Sequence, residues 1–333
     1  MTNPLVTIIT PCYNGEVFLD KYFASILAQT YDRLELIFVN DGSTDRTEEI
    51  ALGYRAALEA RGIAYKYLYQ PNGGQARAMN TGFREMTGKY LVWPDSDDLL
   101  SPDSIEKRVA FLETHPDYGF VRSHGDYFQF ETGARRGPLS HLDNRFHEDI
   151  FLDLILEETY CACGCYMIRT DLLREIYPDL TIYETPVGQN WQILIPIAGR
   201  SKCGYIDEEL YHVAIRENSH SRQDRTLQEE VDRRMGLKEV LEMGIALSGR
   251  TDRDYQRIVD MKYQRILMQV YLNAGAKEQA TTCYRTLKSA GELTKDNLRL
   301  YLRTLHPVQY RIFTLRELGT RAIRKGIRLL TGK

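Results

Sequence analysis

The first third of the chain alternates short apolar runs with helical patterns, and this alternation limits the folds that it can adopt. The predicted strands are Leu5–Thr10, Leu34–Val39, Ala64–Tyr69 and Lys89–Trp93. The predicted helices between them are Val17–Gln29, Thr44–Arg61 and Gly74–Met86. Continuous apolar strands that alternate with helices are typical of a parallel sheet covered on both faces. We therefore predict an α/β fold with helices on both faces of the sheet.

The rest of the chain divides into a mixed and a helical part. A hydroxyl and a proline at Ser101–Asp103 predict the start of a helix. The patterns after it indicate strands at Gly119–Glu131 and Tyr160–Ile168 and a helix at Gly188–Ala198. Few strand signals follow residue 225. We predict one domain over 1–224, with halves 1–115 and 116–224, and a helical C-terminal region over 225–333.

The charge, the cysteine spacing and the hydropathy argue against a nucleic-acid-binding protein, a zinc protein and a membrane-spanning protein. The net charge is −3, so no overall positive field attracts nucleic acid. The six cysteines lack the paired spacing of a zinc site, and Cys161, Cys163 and Cys165 alternate as on one face of a strand. We expect buried thiols in a reduced compartment. We expect no signal peptide, and no apolar run approaches about 20 residues, so the expected location is cytoplasmic.

Polar clusters follow three of the predicted strands. They are Pro11–Gly15 after the first strand, Asn40–Ser43 after the second and Asp95–Asp98 after the fourth. In open α/β sheets, ligands bind outside the carboxyl ends of the strands. Three polar loops on one edge therefore predict a binding site there.

The acidic cluster Asp95–Asp98 has two interpretations. Aspartates so close together repel one another unless a cation or hydrogen-bond donors compensate them. Magnesium or manganese binds such oxygen ligands together with substrate phosphates. The alternative is an acidic loop that caps the next helix, and the string alone favours neither.

Two other clusters suit a nucleotide. Asp41 follows a strand, where its carboxylate could accept hydrogen bonds from a base or ribose, and Tyr13 could stack on that base; an ordinary, partly buried tyrosine is the alternative. Gly74 precedes a helix N-terminus, whose backbone N–H groups favour phosphate oxygens, and Arg77 adds a positive charge. A simple turn is the alternative for the Gly73–Gly74 pair.

The order and spacing of these segments resemble glycosyltransferase family 2 over about the first 115 residues. The matching segments are Val6–Gly15, Val39–Asp45, Asn72–Gly82 and Trp93–Asp98. The segment from Tyr211 to Arg222 is similar to a late histidine segment of the family. The resemblance implies a GT-A type, Rossmann-like mixed sheet, a nucleotide-sugar donor such as a UDP-sugar, manganese or magnesium, and inversion at the anomeric carbon.

The resemblance also implies roles for individual residues. Those expected at the nucleotide sugar are Pro11, Tyr13, Asn14, Asp41, Gly74, Arg77, Asp95 and Ser96. Asp97 would bind the metal, and His220 would be a further contact to the metal or diphosphate. Asp98 could support either group.

Two positions depart from the family pattern. Met79 stands where the family usually has arginine, which weakens the phosphate role of Arg77. Gln189 and Asn190 stand where many relatives have Glu-Asp, and an amide cannot take a proton from an acceptor hydroxyl. We therefore expect Gln189, Asn190 and Trp191 to shape the acceptor pocket, and a buried core tryptophan is the alternative for Trp191. We consider Glu184 and Asp98 as candidate bases. A third route is deprotonation of the acceptor by the departing diphosphate, which gives retention and needs no enzymic base.

These features predict a metal-dependent glycosyltransferase that acts on a polysaccharide, glycolipid or other cell-surface acceptor. A non-catalytic module that binds sugar nucleotides is an alternative, because Asn190 replaces the expected base. A nucleotidyltransferase is a weaker alternative, because no glycine-rich basic loop follows the first strand.

The C-terminal segment 310–333 has seven basic residues and one acidic residue, interleaved with apolar residues. This pattern is typical of an amphipathic helix on an anionic membrane. A lipid-linked acceptor would place the enzyme at the inner face of the membrane. A basic helix packed on the protein itself is the alternative.

Overall fold

The computed structural model of the protein describes residues 3–141, 143–215 and 225–314. The strands are β1 (Val6–Cys12), β2 (Leu34–Asp41), β3 (Ala64–Gln70), β4 (Tyr90–Val92), β5 (Leu99–Leu100), β6 (Tyr118–Gln129), β7 (Arg135–Pro138), β8 (Tyr166–Arg169) and β9 (Lys202–Ile215). The helices are α1 (Leu19–Leu27), α2 (Thr47–Gly53), α3 (Arg55–Ala60), α4 (Gln75–Glu85), α5 (Ser104–Thr114), α6 (Phe151–Leu156), α7 (Thr170–Ile176), α8 (Gln189–Arg200), α9 (Leu227–Ser248), α10 (Tyr255–Asn273), α11 (Lys277–Ser289) and α12 (Lys295–Leu305).

The strands form one mixed sheet in the order β3-β2-β1-β4-β8-β6-β9-β5, and β7 pairs with β6. The first four strands of this order are parallel. Strand β8 runs antiparallel to both β4 and β6, and β6 is parallel to β9. Every residue of β2 is buried, as expected for a strand with both faces covered. The predicted α/β mixed sheet with C-terminal helices is confirmed.

Three local predictions are wrong. The helix predicted from Ser101 begins at Ser104, because the Ser101 hydroxyl bonds the Glu209 carbonyl of β9 at 3.0 Å and caps nothing. The helix predicted at Thr44–Arg61 is broken at Tyr54 into α2 and α3.

The third wrong prediction concerns the alternating cysteines. Residues Cys163–Cys165 form a 3-10 turn, and the strand begins only at Tyr166. Gly164 lies against the Tyr211 ring, where a Cβ would be 2.0 Å from the ring carbon Cε2. The prediction of unpaired thiols is confirmed, since all six cysteines are free and five are buried.

The chain divides into two compact units. The first comprises residues 1–223 and 236–255, and the second comprises residues 224–235 and 256–333. The second unit has its own core, formed by Leu267, Met268, Leu272, Ala280, Cys283, Leu287, Tyr301 and Leu302. A domain boundary at 225 stays a prediction.

Within the described ranges, no helix has the length and apolarity needed to cross a membrane. Most of the predicted basic helix at 310–333 lies outside the described residues, which end at 314. Its amphipathic character therefore stays a prediction.

Gly204 in β9 offers a test of the packing between β9 and α5. A Cβ there would lie 2.0 Å from Cε1 of Phe111, whereas a Cβ at Gly53 would meet nothing within 4 Å. We predict that Gly204→Ala lowers the free energy of unfolding by about 1–3 kcal/mol through overpacking. Gly53→Ala should leave it unchanged or raise it, because alanine is the better helix former. Urea unfolding measures both, and equal stabilities would contradict the close packing.

Candidate functional site

The loops after β1, β2 and β4 leave the sheet at the same edge. Cys12 at the end of β1 is opposite Asn40 in β2, and β4 pairs with β1 on its other side in parallel register. Since neighbouring parallel strands end together, the loops converge as predicted from the sequence.

Asn14 joins the first two loops. Its backbone N–H donates to the Ser43 hydroxyl at 2.9 Å, and its side-chain oxygen accepts from the Thr44 N–H at 2.8 Å. Its φ is 51°, a left-handed conformation that asparagine tolerates better than most residues. The neighbouring Tyr13 is 47% exposed, so its ring is accessible to a ligand. Pro11 lies inside β1, opposite Val39.

Asp41 holds the glycine loop that precedes α4. Its carboxylate accepts from the N–H groups of Gly73 at 2.9 Å and Gly74 at 2.8 Å, and from Nε2 of Gln70 at 2.7 Å. Asp41 is buried, and Gly74 has a φ of 85°, which favours glycine. The structure therefore gives Asp41 a loop-shaping role that the sequence did not predict, and its predicted contact with a base or ribose stays a prediction.

Helix α4 presents one side to the loop and the other to the core. Arg77 is exposed, and its side chain passes close to Gly73, where a Cβ would be 2.3 Å from Cδ. Met79, which replaces the family's arginine, is buried. Arg77 is therefore the only arginine in the first turns of α4, and its phosphate contact stays a prediction.

The acidic loop is fixed by Tyr211 of β9. The Tyr211 hydroxyl accepts the Asp95 N–H at 3.2 Å and donates to Asp98 Oδ2 at 2.6 Å. Asp98 Oδ1 accepts from the Ala214 N–H at 2.8 Å, and Asp98 is only 5% exposed. Both oxygens of Asp98 therefore bond β9, which leaves this carboxylate little freedom to act elsewhere.

Burial and like charges raise the pKa values in this loop. Burial, followed by the negative charge of Asp97, raises the pKa of Asp95 to about 6. Burial and the charges of Asp97 and Asp95 hold the pKa of Asp98 well above its usual range. A bound cation would relieve this repulsion and favour the ionised carboxylates.

The donor set fits a cation that is shared with phosphates. The described residues contain no cluster of three or more histidine, cysteine, aspartate or glutamate side chains that could hold a metal by itself. Asp98 is bonded to β9, and Asp95 Oδ1 accepts a hydrogen bond from Gln75 at 2.7 Å. Magnesium commonly takes one or two protein carboxylates plus substrate phosphates, which this loop can supply through Asp97. His220, the other predicted ligand, lies outside the described residues.

The first residues of α8 face the acidic loop. Gln189 donates from Nε2 to the side-chain oxygen of Gln75. Asn190 accepts from the Trp93 indole N–H at 3.0 Å and donates to the Cys161 carbonyl at 3.2 Å. Trp191 is half-buried. The structure thus links Gln189 to the acidic loop through Gln75, and links Asn190 to Trp93 just before that loop. An acceptor pocket around them stays a prediction.

Glu184 lies on a segment that two amide side chains hold in place. Asn80 of α4 both donates to the Ile182 carbonyl at 2.9 Å and accepts its N–H at 2.8 Å. Gln192 of α8 makes the same pair of bonds to Tyr183, at 2.9 and 2.8 Å. Glu184 follows directly and is exposed. Its carboxylate is therefore accessible on a segment with an anchored backbone.

Several residues of the site carried little signal in the sequence. Tyr211, Gln75, Trp93, Asn80 and Gln192 act through hydrogen bonds between distant segments, which a local pattern does not reveal. The available signal was polar residues inside apolar helical patterns, such as Asn80 between Met79 and Phe83. A buried polar side chain nearly always has a hydrogen-bond partner, so a polar residue at a core position indicates a contact with another segment.

Comparison with known proteins identifies the family. The sequence model of Glycosyl transferase family 2 matches residues 7–177, about half of the chain. The chain belongs to this family. The match includes the loops after β1, β2 and β4, so these form the family's shared region.

Sequence relatives are similar over part of the chain. An uncharacterised glycosyltransferase of Rickettsia prowazekii is 46% identical over 110 residues, which are 33% of this chain and 32% of the relative. One from Haemophilus influenzae is 34% identical over 143 residues, 41% of this chain and 56% of the relative. The minor teichoic acid biosynthesis protein GgaB of Bacillus subtilis is 28% identical over 221 residues, 65% of this chain and 23% of the relative. The matched region thus spans about a third of the first of these relatives and less than a quarter of GgaB.

Two solved structures of low sequence identity have the same fold. S. aureus TarS 1–349, in complex with UDP-GlcNAc, has a TM-score of 0.57 at 18% identity, covering 90% of this chain and 79% of its own. The mannosyltransferase PcManGT of Pyrobaculum calidifontis, in complex with GDP-Man and Mn²⁺, has a TM-score of 0.54 at 19% identity, covering 100% of this chain and 89% of its own. Identities this low support the fold alone.

The two hydrogen bonds between the Asn80 side chain and the Ile182 backbone, here called the Asn80 clamp, yield a prediction about stability. Asn80→Ala would leave the N–H and carbonyl of buried Ile182 without partners. We expect the free energy of unfolding to fall by at least about 1–3 kcal/mol, the usual cost of an unpaired buried polar group. Arg84→Ala, on an exposed position of the same helix, is the matched control and should change it little. Equal stabilities in urea unfolding would show that the clamp is unimportant.

Proposed function

We propose that this chain is a metal-dependent glycosyltransferase that moves a sugar from a nucleoside-diphosphate donor to an acceptor hydroxyl with inversion. The observation that carries the proposal is the acidic loop after β4, in which the pKa values of Asp95 and Asp98 are raised by burial and by neighbouring charges. This loop is joined through Gln75 to the helix that follows the Gly73–Gly74 turn. Carboxylates beside the N-terminus of a helix suit a metal diphosphate.

In the proposed donor complex, the first two loops bind the nucleoside, and the N-terminus of α4 after Gly74 binds the diphosphate. The exposed ring of Tyr13 would stack on the base, and the neighbouring loop residues would line it. The full set of proposed donor contacts is Pro11, Tyr13, Asn14, Asp41, Gly74, Arg77, Asp95 and Ser96. A UDP-sugar is the first candidate donor, because TarS was solved with UDP-GlcNAc. The GDP-Man complex of PcManGT makes a GDP-sugar the second.

Asp97 is the proposed protein ligand of manganese or magnesium, together with His220. A divalent cation bridging to the diphosphate would stabilise the negative charge that develops on the leaving group. Asp95 and Asp98 shape the loop around Asp97 through their bonds to Gln75 and to β9.

The transfer itself needs a base for the acceptor hydroxyl. The base takes the hydroxyl proton, the acceptor oxygen attacks the anomeric carbon, and the bond from that carbon to the phosphate oxygen breaks. Asn190 cannot be the base, because an amide does not accept a proton at neutral pH. We propose Glu184, whose exposed carboxylate follows the anchored Ile182–Tyr183 segment. Asp98 is the weaker candidate, because both of its oxygens bond β9.

The proposed acceptor is a polysaccharide, a glycolipid or another saccharide of the cell surface, taken up beside Gln189, Asn190 and Trp191. The similarity to GgaB, a protein of minor teichoic acid biosynthesis, supports this class. A lipid-linked acceptor would be used at the cytoplasmic face of the membrane, where the basic segment 310–333 could bind anionic lipid.

The metal and the nucleotide should bind cooperatively if Asp97 holds a shared cation. We predict that manganese tightens UDP or GDP binding by roughly 5- to 150-fold, a typical coupling, and that EDTA removes this gain. Asp97→Asn should abolish the gain and reduce transfer by roughly a hundredfold or more. Isothermal titration measures the affinities.

Asp117→Asn, an exposed carboxylate before β6, is the control and should behave like the wild type. Equal nucleotide affinity with manganese and with EDTA would contradict the metal site. Nucleotide-sugar binding without any transfer or donor hydrolysis would favour a non-catalytic binding module.

The base has its own test. We predict that Glu184→Gln lowers turnover by roughly 10²–10⁴-fold while nucleotide binding is retained, because the amide keeps the shape but cannot take a proton. Glu175→Gln, an exposed glutamate on α7, is the matched control. NMR of the product gives its anomeric configuration. An inverted product with unchanged turnover in Glu184→Gln would exclude Glu184, and a retained configuration would exclude direct displacement with Glu184 as its base.

A further inference from the structure

Two glutamine side chains connect the start of α8 to the acidic loop. Gln189 donates from Nε2 to Oε1 of Gln75, and Gln75 donates from its own Nε2 to Oδ1 of Asp95 at 2.7 Å. Both amides thus point their N–H groups towards the carboxylate. Hydrogen bonds aligned in this way polarise one another, and the last one is strengthened by the charge of its acceptor.

The carboxylate fixes the direction of this chain of bonds. An ionised aspartate can only accept hydrogen bonds, so Gln75 must turn its nitrogen towards Asp95 and its oxygen towards α8. The residue at 189 must then donate. Glutamine meets this requirement, whereas an ionised glutamate would place an acceptor against an acceptor.

Asn190 makes a second connection from the same turn of α8. Its oxygen accepts from the Trp93 indole, and its nitrogen donates to the Cys161 carbonyl. An ionised aspartate could accept from Trp93 but would face the Cys161 carbonyl without a proton to share. The two amides that replace the expected acids are therefore matched to the partners around them.

We propose that Gln75 is a positioning residue that aims the Asp95 carboxylate at the sugar of the donor, and that Gln189 holds Gln75 in the required orientation. This inference rests on the proposed function, because it assigns Asp95 to the nucleotide sugar. Gln75 is half-buried and lies at the first position of α4, directly after Gly74. The Asp95 carboxylate also interacts with the Cys163 thiol, so without Gln75 it would keep that partner but lose the amide donor that sets its orientation.

The experiment compares binding of a nucleotide sugar with binding of the matching nucleoside diphosphate. The probes are UDP-GlcNAc with UDP and GDP-mannose with GDP, each with manganese, in isothermal titration. A residue that aims Asp95 at the sugar should affect only the nucleotide sugar. A residue needed merely for the fold should affect both ligands alike.

We predict that Gln75→Ala weakens binding of the preferred nucleotide sugar about tenfold, the effect of losing one charge-assisted hydrogen bond, and leaves the diphosphate unchanged. Gln189→Ala should also weaken binding of the nucleotide sugar relative to the diphosphate, but by a smaller factor than Gln75→Ala. The double variant should match Gln75→Ala, because Gln189 acts only through Gln75. Gln189→Glu preserves the size of the side chain and should reproduce the loss of Gln189→Ala.

Several outcomes would overturn the proposal. Equal weakening of both ligands in Gln75→Ala, or additive losses in the double variant, would reject the positioning role while leaving the proposed function intact. Full affinity in Gln189→Glu would reject the directional requirement on residue 189. A wild-type protein that binds neither nucleotide sugar would overturn the proposed function together with this inference. Thermal unfolding of each variant identifies any that fails to fold, and the isosteric Gln189→Glu then carries the comparison.

Discussion

The hydrogen bonds between Asp98 and β9 hold the candidate site together. Tyr211 and Ala214 donate to the two oxygens of one buried carboxylate, and the Tyr211 hydroxyl also receives the Asp95 N–H. The loop that follows β4 is thereby fixed to a strand that lies three positions away in the sheet. The acidic loop follows β4, the last of the four parallel strands, and β9, from the part of the sheet with mixed strand directions, supports it. The raised pKa values of Asp95 and Asp98 follow from the same arrangement, since burial disfavours the charged carboxylates and the neighbouring negative charges add to the effect.

In the first unit, two buried side-chain amides make the hydrogen bonds to the backbone that a neighbouring strand would otherwise make. Asn80 and Gln192 each donate to and accept from one residue of the Ile182–Tyr183 segment, as a neighbouring strand would. An amide can do this because it carries both a donor and an acceptor, whereas a carboxylate or an amine cannot. The segment is thus held in place although it lies outside the sheet.

The sequence predicted the parallel strands well because their signal is local. Apolar runs of strand length between helical patterns identified β1 to β4 within about two residues at each end. It also predicted that the loops converge, because adjacent parallel strands end together. The strand predicted at the alternating cysteines was wrong. Alternating cysteines are typical of one face of a strand, but here they lie at a 3-10 turn that packs on Tyr211. Contacts such as Gln75 with Gln189 join residues more than a hundred positions apart, so no local pattern encodes them.

Helix α9 contributes residues to both compact units, and this determines where a shortened protein can end. Its residues 227–235 belong to the second unit and residues 236–248 to the first. In the first unit, Gly188 lies against Leu237 and Val240, and Ile195 of α8 lies against Gly244. A gene fragment that stops at the end of β9 would strip this cover from α8 and expose apolar side chains directly behind Gln189 and Asn190. A truncated protein for crystallisation should therefore run to residue 255, where Tyr255 packs edge-on against Phe151.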